Sequence, residues 1–257
     1  MVVFHPQLKT ASRSRSAHDL VTHGIGRAII EGQFAVGSTL PGDMELMERF
    51  GVSRTALREA MKTLAAKGLI ESKTKVGTRV LGEKNWNMFD ADILMWRLQL
   101  GVDRTFMESL FEIRQALEPL AAASAALYRT EADIERLRAA LMAMRLDHHT
   151  KDSFTQADLA YHRAILDASA NPFLQSMGSV IEAALATSFT ITSPVDSPDR
   201  FELSKRQHGA IFDAIVARDP QGASEAMTAV ILQGTKGAEI HRSDAPVVSI
   251  GIQLFGQ

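Results

Sequence analysis

The 257-residue chain has no cysteine, two tryptophans and two tyrosines, and aromatic residues make up only 6% of it. Without cysteine there is no disulfide framework, no thiol nucleophile and no cysteine-ligated zinc or iron–sulfur centre. No apolar run approaches the roughly 18 residues of a membrane-spanning helix. The opening MVVFHPQLK is too short and too polar for a signal peptide, so a cytoplasmic protein with no membrane partner is expected. Several catalytic signatures are also missing: an HExxH pair, a G-x-x-x-x-G-K-[ST] phosphate loop and a G-x-S-x-G nucleophile elbow.

What is present is a globular composition, 46% hydrophobic and 23% charged, at a length that suits one large domain or two smaller ones. The net charge of −2 conceals a division. Residues 1–82 carry twelve Lys/Arg against seven Asp/Glu, whereas the remainder carries sixteen against twenty-three. A basic module that meets a polyanion, joined to an acidic one that does not, accounts for this split.

Residues 1–16 lack periodicity and read as a disordered basic arm. Val21, Ile25 and Ile29 then step by four as one helical face should. Gly24 and Gly26 weigh against that helix by about 1 kcal/mol each relative to alanine. Turns are marked around Gly37 and at Pro41-Gly42. A short helix begins at Asp43, with Leu46, Met47 and Phe50 on one face and Gly51 as its stop. Ser53 is a good N-cap for the next helix, in which Leu57, Ala60, Met61 and Leu64 share a face and Gly68 ends the run. Alternation from Leu69 to Leu81 around a turn-forming centre predicts a two-stranded hairpin. Helix, helix–turn–helix and basic hairpin is a winged helix–turn–helix order over residues 17–82.

Residues 83–101 read as a linker and linker helix. Beyond them, helical periodicity covers roughly 90–100, 103–128, 131–147, 151–169, 173–192, 199–218 and 220–240, with Gly and Pro marking most boundaries. The fold class is therefore mainly α, with an antiparallel helical bundle at residues 102–240. The tail, 241–257, contains Val247–Ile252 and reads as a strand or as a disordered end.

In a helix–turn–helix the second helix lies in the major groove with its N-terminal residues at base edges. With Leu57, Ala60, Met61 and Leu64 turned inward, Arg54, Thr55, Arg58 and Lys62 remain outside beside Ser53. The planar fork of arginine matches guanine O6 and N7, while lysine serves phosphates. The hairpin adds Lys73, Lys75 and Arg79 around Gly77. An amphipathic surface helix explains the first set of charges alone; the combination with a basic hairpin favours double-stranded DNA.

The same residues carry a resemblance. Leu40-Pro41-Gly42-Asp43-Met44-Glu45-Leu46, then Gly51-Val52-Ser53-Arg54-Thr55-Ala56-Leu57-Arg58-Glu59-Ala60, then Gly68-Leu69-Ile70, closely resemble the GntR family of bacterial transcription regulators. The helical remainder resembles the effector (FCD) domain of the family's FadR-like branch. There the matching stretches are Glu112–Pro119, Asp158-Leu159-Ala160-Tyr161-His162, Ala168–Pro172, and His208 with Ile211. The resemblance spans about residues 17–235. Met44 departs from it, standing where family members usually carry an arginine that touches the DNA backbone.

Asp158 and His162 lie four apart, so one helical face presents both, a spacing that suits metal ligation as well as a hydrogen-bonded pair. The resemblance implies a divalent metal (zinc, nickel or manganese) held by Asp158, His162, His208 and one further histidine. That last position is Val230, so three of the four ligands are present. Arg114 sits among apolar neighbours. Glu118, one turn on, is its structural partner in one reading; the resemblance places Arg114 at an effector cavity facing a carboxylate. The segment Trp86–Trp96 resembles the linker of regulators that respond to sugar acids such as galactonate, and core packing explains both tryptophans equally well.

The reading that follows is a ligand-responsive DNA-binding repressor, a homodimer on an inverted-repeat operator. Its effector is a small organic acid bound by Arg114, Asp158, His162 and His208. The alternative is a helical metal-dependent hydrolase using Asp158, His162 and His208 to activate water.

Overall fold

The computed structural model describes residues 16–101, 103–191 and 193–240. The chain divides into two compact units at residue 100. The expected arm, apart from Ser16, and the tail from 241 onward lie outside the described residues.

The first unit opens with α1 (Ala17–Ile30), whose N-terminus is closed by a reciprocal cap between Ser16 and Asp19. Val21, Ile25 and Ile29 are its buried face. The two glycines that lower its helical propensity have a packing reason. A Cβ on Gly24 would stand 2.5 Å from the Phe50 ring, and one on Gly26 would stand 2.4 Å from the Trp96 indole. Close approach of two neighbouring side chains replaces what propensity loses.

Helices α2 (Asp43–Phe50) and α3 (Arg54–Ala66) form the helix–turn–helix. Gly51, at φ 62°, is the left-handed cap between them, a conformation glycine adopts without a steric penalty. Ser53 caps α3 by accepting from the Ala56 N–H at 3.3 Å. Leu57, Ala60 and Leu64 are buried. Strands β1 (Ile70–Lys73) and β2 (Gly77–Val80) pair antiparallel, Ile70 opposite Val80 and Lys73 opposite Gly77.

The segment expected as a linker is part of this unit. Trp86 donates its indole N–H to the Leu81 carbonyl at 3.1 Å. After a 3₁₀ turn (Glu83–Asn85), α4 (Ala91–Leu100) buries Ile93 and Trp96 in the same core as Val21, Leu46 and Leu64. Trp96 donates to His23 Nδ1 at 3.0 Å. Lys67, at the end of α3, reaches Asp90 and Asp92, each at 2.7 Å. Burial works against a charged Lys67, yet these two carboxylates hold its pKa above the usual lysine value.

The second unit is all-helical in its described residues: α5 (Arg104–Tyr128), α6 (Glu131–Met144), α7 (Lys151–Ala168), α8 (Pro172–Gln175), α9 (Gly178–Ile191), α10 (Pro198–Val216) and α11 (Pro220–Ile240). Side chains at the N-caps start several of them: Asp103 for α5, Thr130 for α6, Thr150 for α7 and Asn171 for α8. The expected single helix over 173–192 is two. Its first turn closes on itself: Ser176 Oγ donates to the Pro172 carbonyl, and the Met177 N–H bonds back to Leu174 rather than to residue 173. Helix α5 packs against α7, α9, α10 and α11. Phe111, Leu137, Phe154, Ile165, Ile211 and Met227 belong to one continuous core. No helix among the described residues is long and apolar enough to cross a membrane.

Candidate functional site

The first unit presents a polar face suited to a duplex. Ser53, Arg54, Thr55 and Arg58 are exposed on the first turns of α3, and Lys62 continues the face. Lys73, Lys75, Gly77 and Arg79 are exposed on the hairpin. Not all these charges are idle in the free protein. Lys62 pairs with Glu59 and Lys73 with Glu71, both at 2.8 Å. Arg79 donates from Nε to the Gly37 carbonyl at 3.0 Å, tying the hairpin to the turn before α2. Lys75 has φ 65° at the hairpin tip. Gly77 has φ 102°, and a Cβ there would stand 2.9 Å from the Thr39 methyl, so both backbone and space favour glycine. Met44, in the departed position, is exposed, with its sulfur 4.0 Å from Arg54 Nη2.

The second unit buries five ionisable side chains together: Arg114 and Glu118 from α5, Asp158 and His162 from α7, and His208 from α10. Each is at most 3% exposed, so their charges must balance among themselves or with a ligand. Helical spacing sets this up twice, since Arg114 and Glu118 are one turn apart, as are Asp158 and His162.

The groups form a chain. Arg114 Nε donates to Glu118 Oε1 at 2.5 Å. Glu118 Oε2 touches His162 Nδ1. His162 Nε2 faces Asp158 Oδ2 at 3.6 Å, and His208 Nε2 faces Asp158 Oδ1 at 3.1 Å. The far nitrogen of His208, Nδ1, lies 2.8 Å from the Ser204 carbonyl, and Tyr161 donates its hydroxyl to the carbonyl of His208 itself. A carbonyl only accepts, so His208 Nδ1 donates to Ser204, and Nε2 is the nitrogen that faces Asp158.

Electrostatics follow from this layout. Burial pushes the Glu118 carboxyl up, but Arg114 and His162 outweigh it and hold the pKa at about 2. Burial likewise opposes ionised Asp158, and His162 and His208 bring its pKa below the usual aspartate value. For His162 burial favours the neutral ring, yet Glu118 and Asp158 raise its pKa above the ordinary histidine value. Two buried carboxylates thus favour the charged form of His162, beside the Arg114 guanidinium.

Glu118 Oε2, Asp158 Oδ2, both ring nitrogens of His162 and His208 Nε2 have no well-formed hydrogen bond. One ligand atom from each of Asp158, His162 and His208 falls within 4.8 Å of the others. A carboxylate oxygen and two imidazole nitrogens, dry and convergent, are a donor set that fits a divalent transition metal. Val230 packs its side chain against the hydrophobic core and offers no donor.

Of the residues expected from sequence, Asp158, His162, His208 and Arg114 come together in this cluster. Arg114 has the structural partner foreseen for it, Glu118. What the sequence reading missed is that Glu118 also reaches His162. Its only signal was the i, i+4 spacing to Arg114, which says nothing of contacts across helices.

Comparison with known proteins identifies two regions. Residues 19–80 match "Bacterial regulatory proteins, gntR family", and residues 109–233 match the FCD domain. The HTH-type transcriptional regulator YieP of Escherichia coli (strain K12) is 36% identical over 211 residues, covering 80% of this chain and 89% of the relative. The galactonate operon transcriptional repressor of the same organism is 33% identical over 218 residues, covering 85% and 95%. The HTH-type transcriptional regulator LutR of Bacillus subtilis (strain 168) is 32% identical over 204 residues, covering 78% and 91%. A solved structure of Lar, described as controlling the Listeria monocytogenes agr system, superposes with a TM-score of 0.58 at 18% identity, over 90% of this chain and all of that one. That likeness speaks to the fold alone.

Proposed function

Because the chain belongs to the gntR family of bacterial regulatory proteins and carries an FCD domain, we propose that it is a repressor released from its operator by a small organic acid. Membership gives the coarser function directly: a DNA-binding transcription regulator with a small-molecule effector domain, not an enzyme. The hydrolase alternative falls with it.

Operator recognition is assigned to Ser53, Arg54, Thr55 and Arg58 at the base edges. Lys62, Lys73, Lys75, Gly77 and Arg79 contact the backbone. One such module reads only a few base pairs, so the working unit is a homodimer on an inverted repeat. Exposure of these side chains supports the assignment.

The effector is a sugar acid of the hexonate class. The observation that carries this is the buried cluster of Arg114 with Asp158, His162 and His208, in a chain similar to a galactonate operon repressor. Arg114 spends Nε on Glu118, which leaves its Nη nitrogens to meet the acid's carboxylate. Asp158, His162 and His208 would hold zinc, nickel or manganese, with Val230 absent from the donor set. When bound there, such an ion would supply a Lewis-acidic anchor for oxygens of the acid.

Release requires that the acid bind more tightly to the form of the protein that does not hold DNA; equal affinity for both forms shifts nothing. Titrating the operator complex with galactonate and related hexonates tests the reading. Release at concentrations that also stabilise the free protein against heat is expected. A complex indifferent to every hexonate would overturn the effector assignment.

A further inference from the structure

We propose that Glu118 is a positioning residue for the Asp158–His162–His208 cluster: its Oε2 fixes the proton of His162 on Nδ1, so that Nε2 is presented as a bare donor beside Asp158 and His208. The inference rests on the metal reading above and assigns a role to a residue that supplies no ligand atom.

The argument is one of competing acceptors. His162 lies between two carboxylates, and each ring nitrogen faces one of them. Nδ1 is in close contact with Glu118 Oε2, out of line for a well-formed hydrogen bond, whereas Nε2 is 3.6 Å from Asp158 Oδ2, beyond hydrogen-bond reach. A neutral imidazole carries one proton, and the nearer carboxylate takes it. Asp158 alone would draw the proton to Nε2 and close the donor needed for a metal. Glu118 prevents this.

Arg114 keeps Glu118 fit for the task. Its Nε bond to Oε1 fixes the carboxylate plane and pairs its charge, which holds Oε2 beside His162. The result parallels His208, whose Nδ1 is held by the Ser204 carbonyl while Nε2 faces Asp158. Two histidines from different helices thus have their Nδ1 atoms anchored and their Nε2 atoms turned to the same carboxylate. Partners of this kind orient metal-ligating histidines, and losing one typically costs about 10- to 100-fold in metal affinity.

The experiment uses the full chain and Zn²⁺ as the probe. Nitrogen-resolved NMR of the histidine rings, at a pH high enough to remove the second imidazole proton, reports which His162 nitrogen carries hydrogen. Calorimetry reports Zn²⁺ affinity. The parent should show Nδ1–H, and Glu118→Gln should lose that preference and bind Zn²⁺ roughly 10- to 100-fold more weakly. Glu118→Asp, which keeps a carboxylate, should recover part of both. Glu118→Gln leaves Arg114 buried without an anion, so the double substitution Arg114→Met with Glu118→Gln serves if the single variant does not fold. Either variant retaining the parent's His162 tautomer and Zn²⁺ affinity would overturn the role of Glu118. A parent that keeps Nδ1–H but takes up no Zn²⁺ would overturn the metal reading instead and leave Glu118 as the residue that orients His162.

Discussion

Gly26 lies directly beneath Trp96: a Cβ at this glycine would stand 2.4 Å from the indole ring. The relationship converts a poor helix residue into the seat of α4. Gly26→Ala should therefore destabilise the first unit although alanine is the better helix former. Overpacking of this kind costs typically about 1–3 kcal/mol. Chemical denaturation followed by tryptophan fluorescence measures it, and a variant as stable as the parent would contradict the packing.

Arg54→Ala and Arg58→Ala should each weaken operator binding by roughly 5- to 150-fold, the equivalent of about 1–3 kcal/mol for a lost base contact. Both side chains are exposed, so thermal stabilisation by a hexonate should be unchanged. Gel-shift titration against the protein's own promoter region decides the matter. Parent-like affinity in both variants would place the recognition surface elsewhere.

Binding to any duplex should also weaken steeply with salt, because Lys62, Lys73, Lys75 and Arg79 displace phosphate counterions. Removing one of them should lower the slope of log affinity against log salt by about one. The existing pairs Lys62–Glu59 and Lys73–Glu71 are exposed and worth little, so they do not block the exchange. An affinity independent of salt would count against the whole interface.

Acid should loosen the second unit through Glu118 and Asp158. Both have pKa values below their ordinary 4.5 and 3.8, Glu118 at about 2. A depressed folded-state pKa contributes stability that is present above the unfolded value and disappears as pH falls through the folded one. Unfolding free energy should thus drop between about pH 5 and pH 2, and Glu118→Gln should flatten that drop. Identical acid profiles for parent and variant would show that Glu118 does not contribute.

Val230→His should restore a fourth donor and raise Zn²⁺ affinity at least about tenfold, since structural zinc prefers four ligands. Competition with a chelator measures it. No gain would mean that position 230 does not reach the ion.

Some of this protein was legible in one dimension. The helix–turn–helix was read from Leu57, Ala60 and Leu64, from Ser53 as a cap and from Gly51 and Gly68 as stops, because these signals act within a few residues of one another. Helix α5 and most of its neighbours followed from periodicity and from the Gly and Pro at their boundaries for the same reason, whereas the break between α8 and α9 did not. Asp158 with His162, and Arg114 with Glu118, were legible as pairs because one helical turn fixes their spacing. Tertiary structure alone decided the rest. It set α4 and the segment from Glu83 into the first unit through Trp96, Trp86 and Lys67, contacts to partners as far as 73 residues away. It also brought α5, α7 and α10 together so that Glu118 meets His162 and Asp158 meets His208. No local pattern encodes which buried charge faces which, because that choice is made by the packing of whole helices around a shared core.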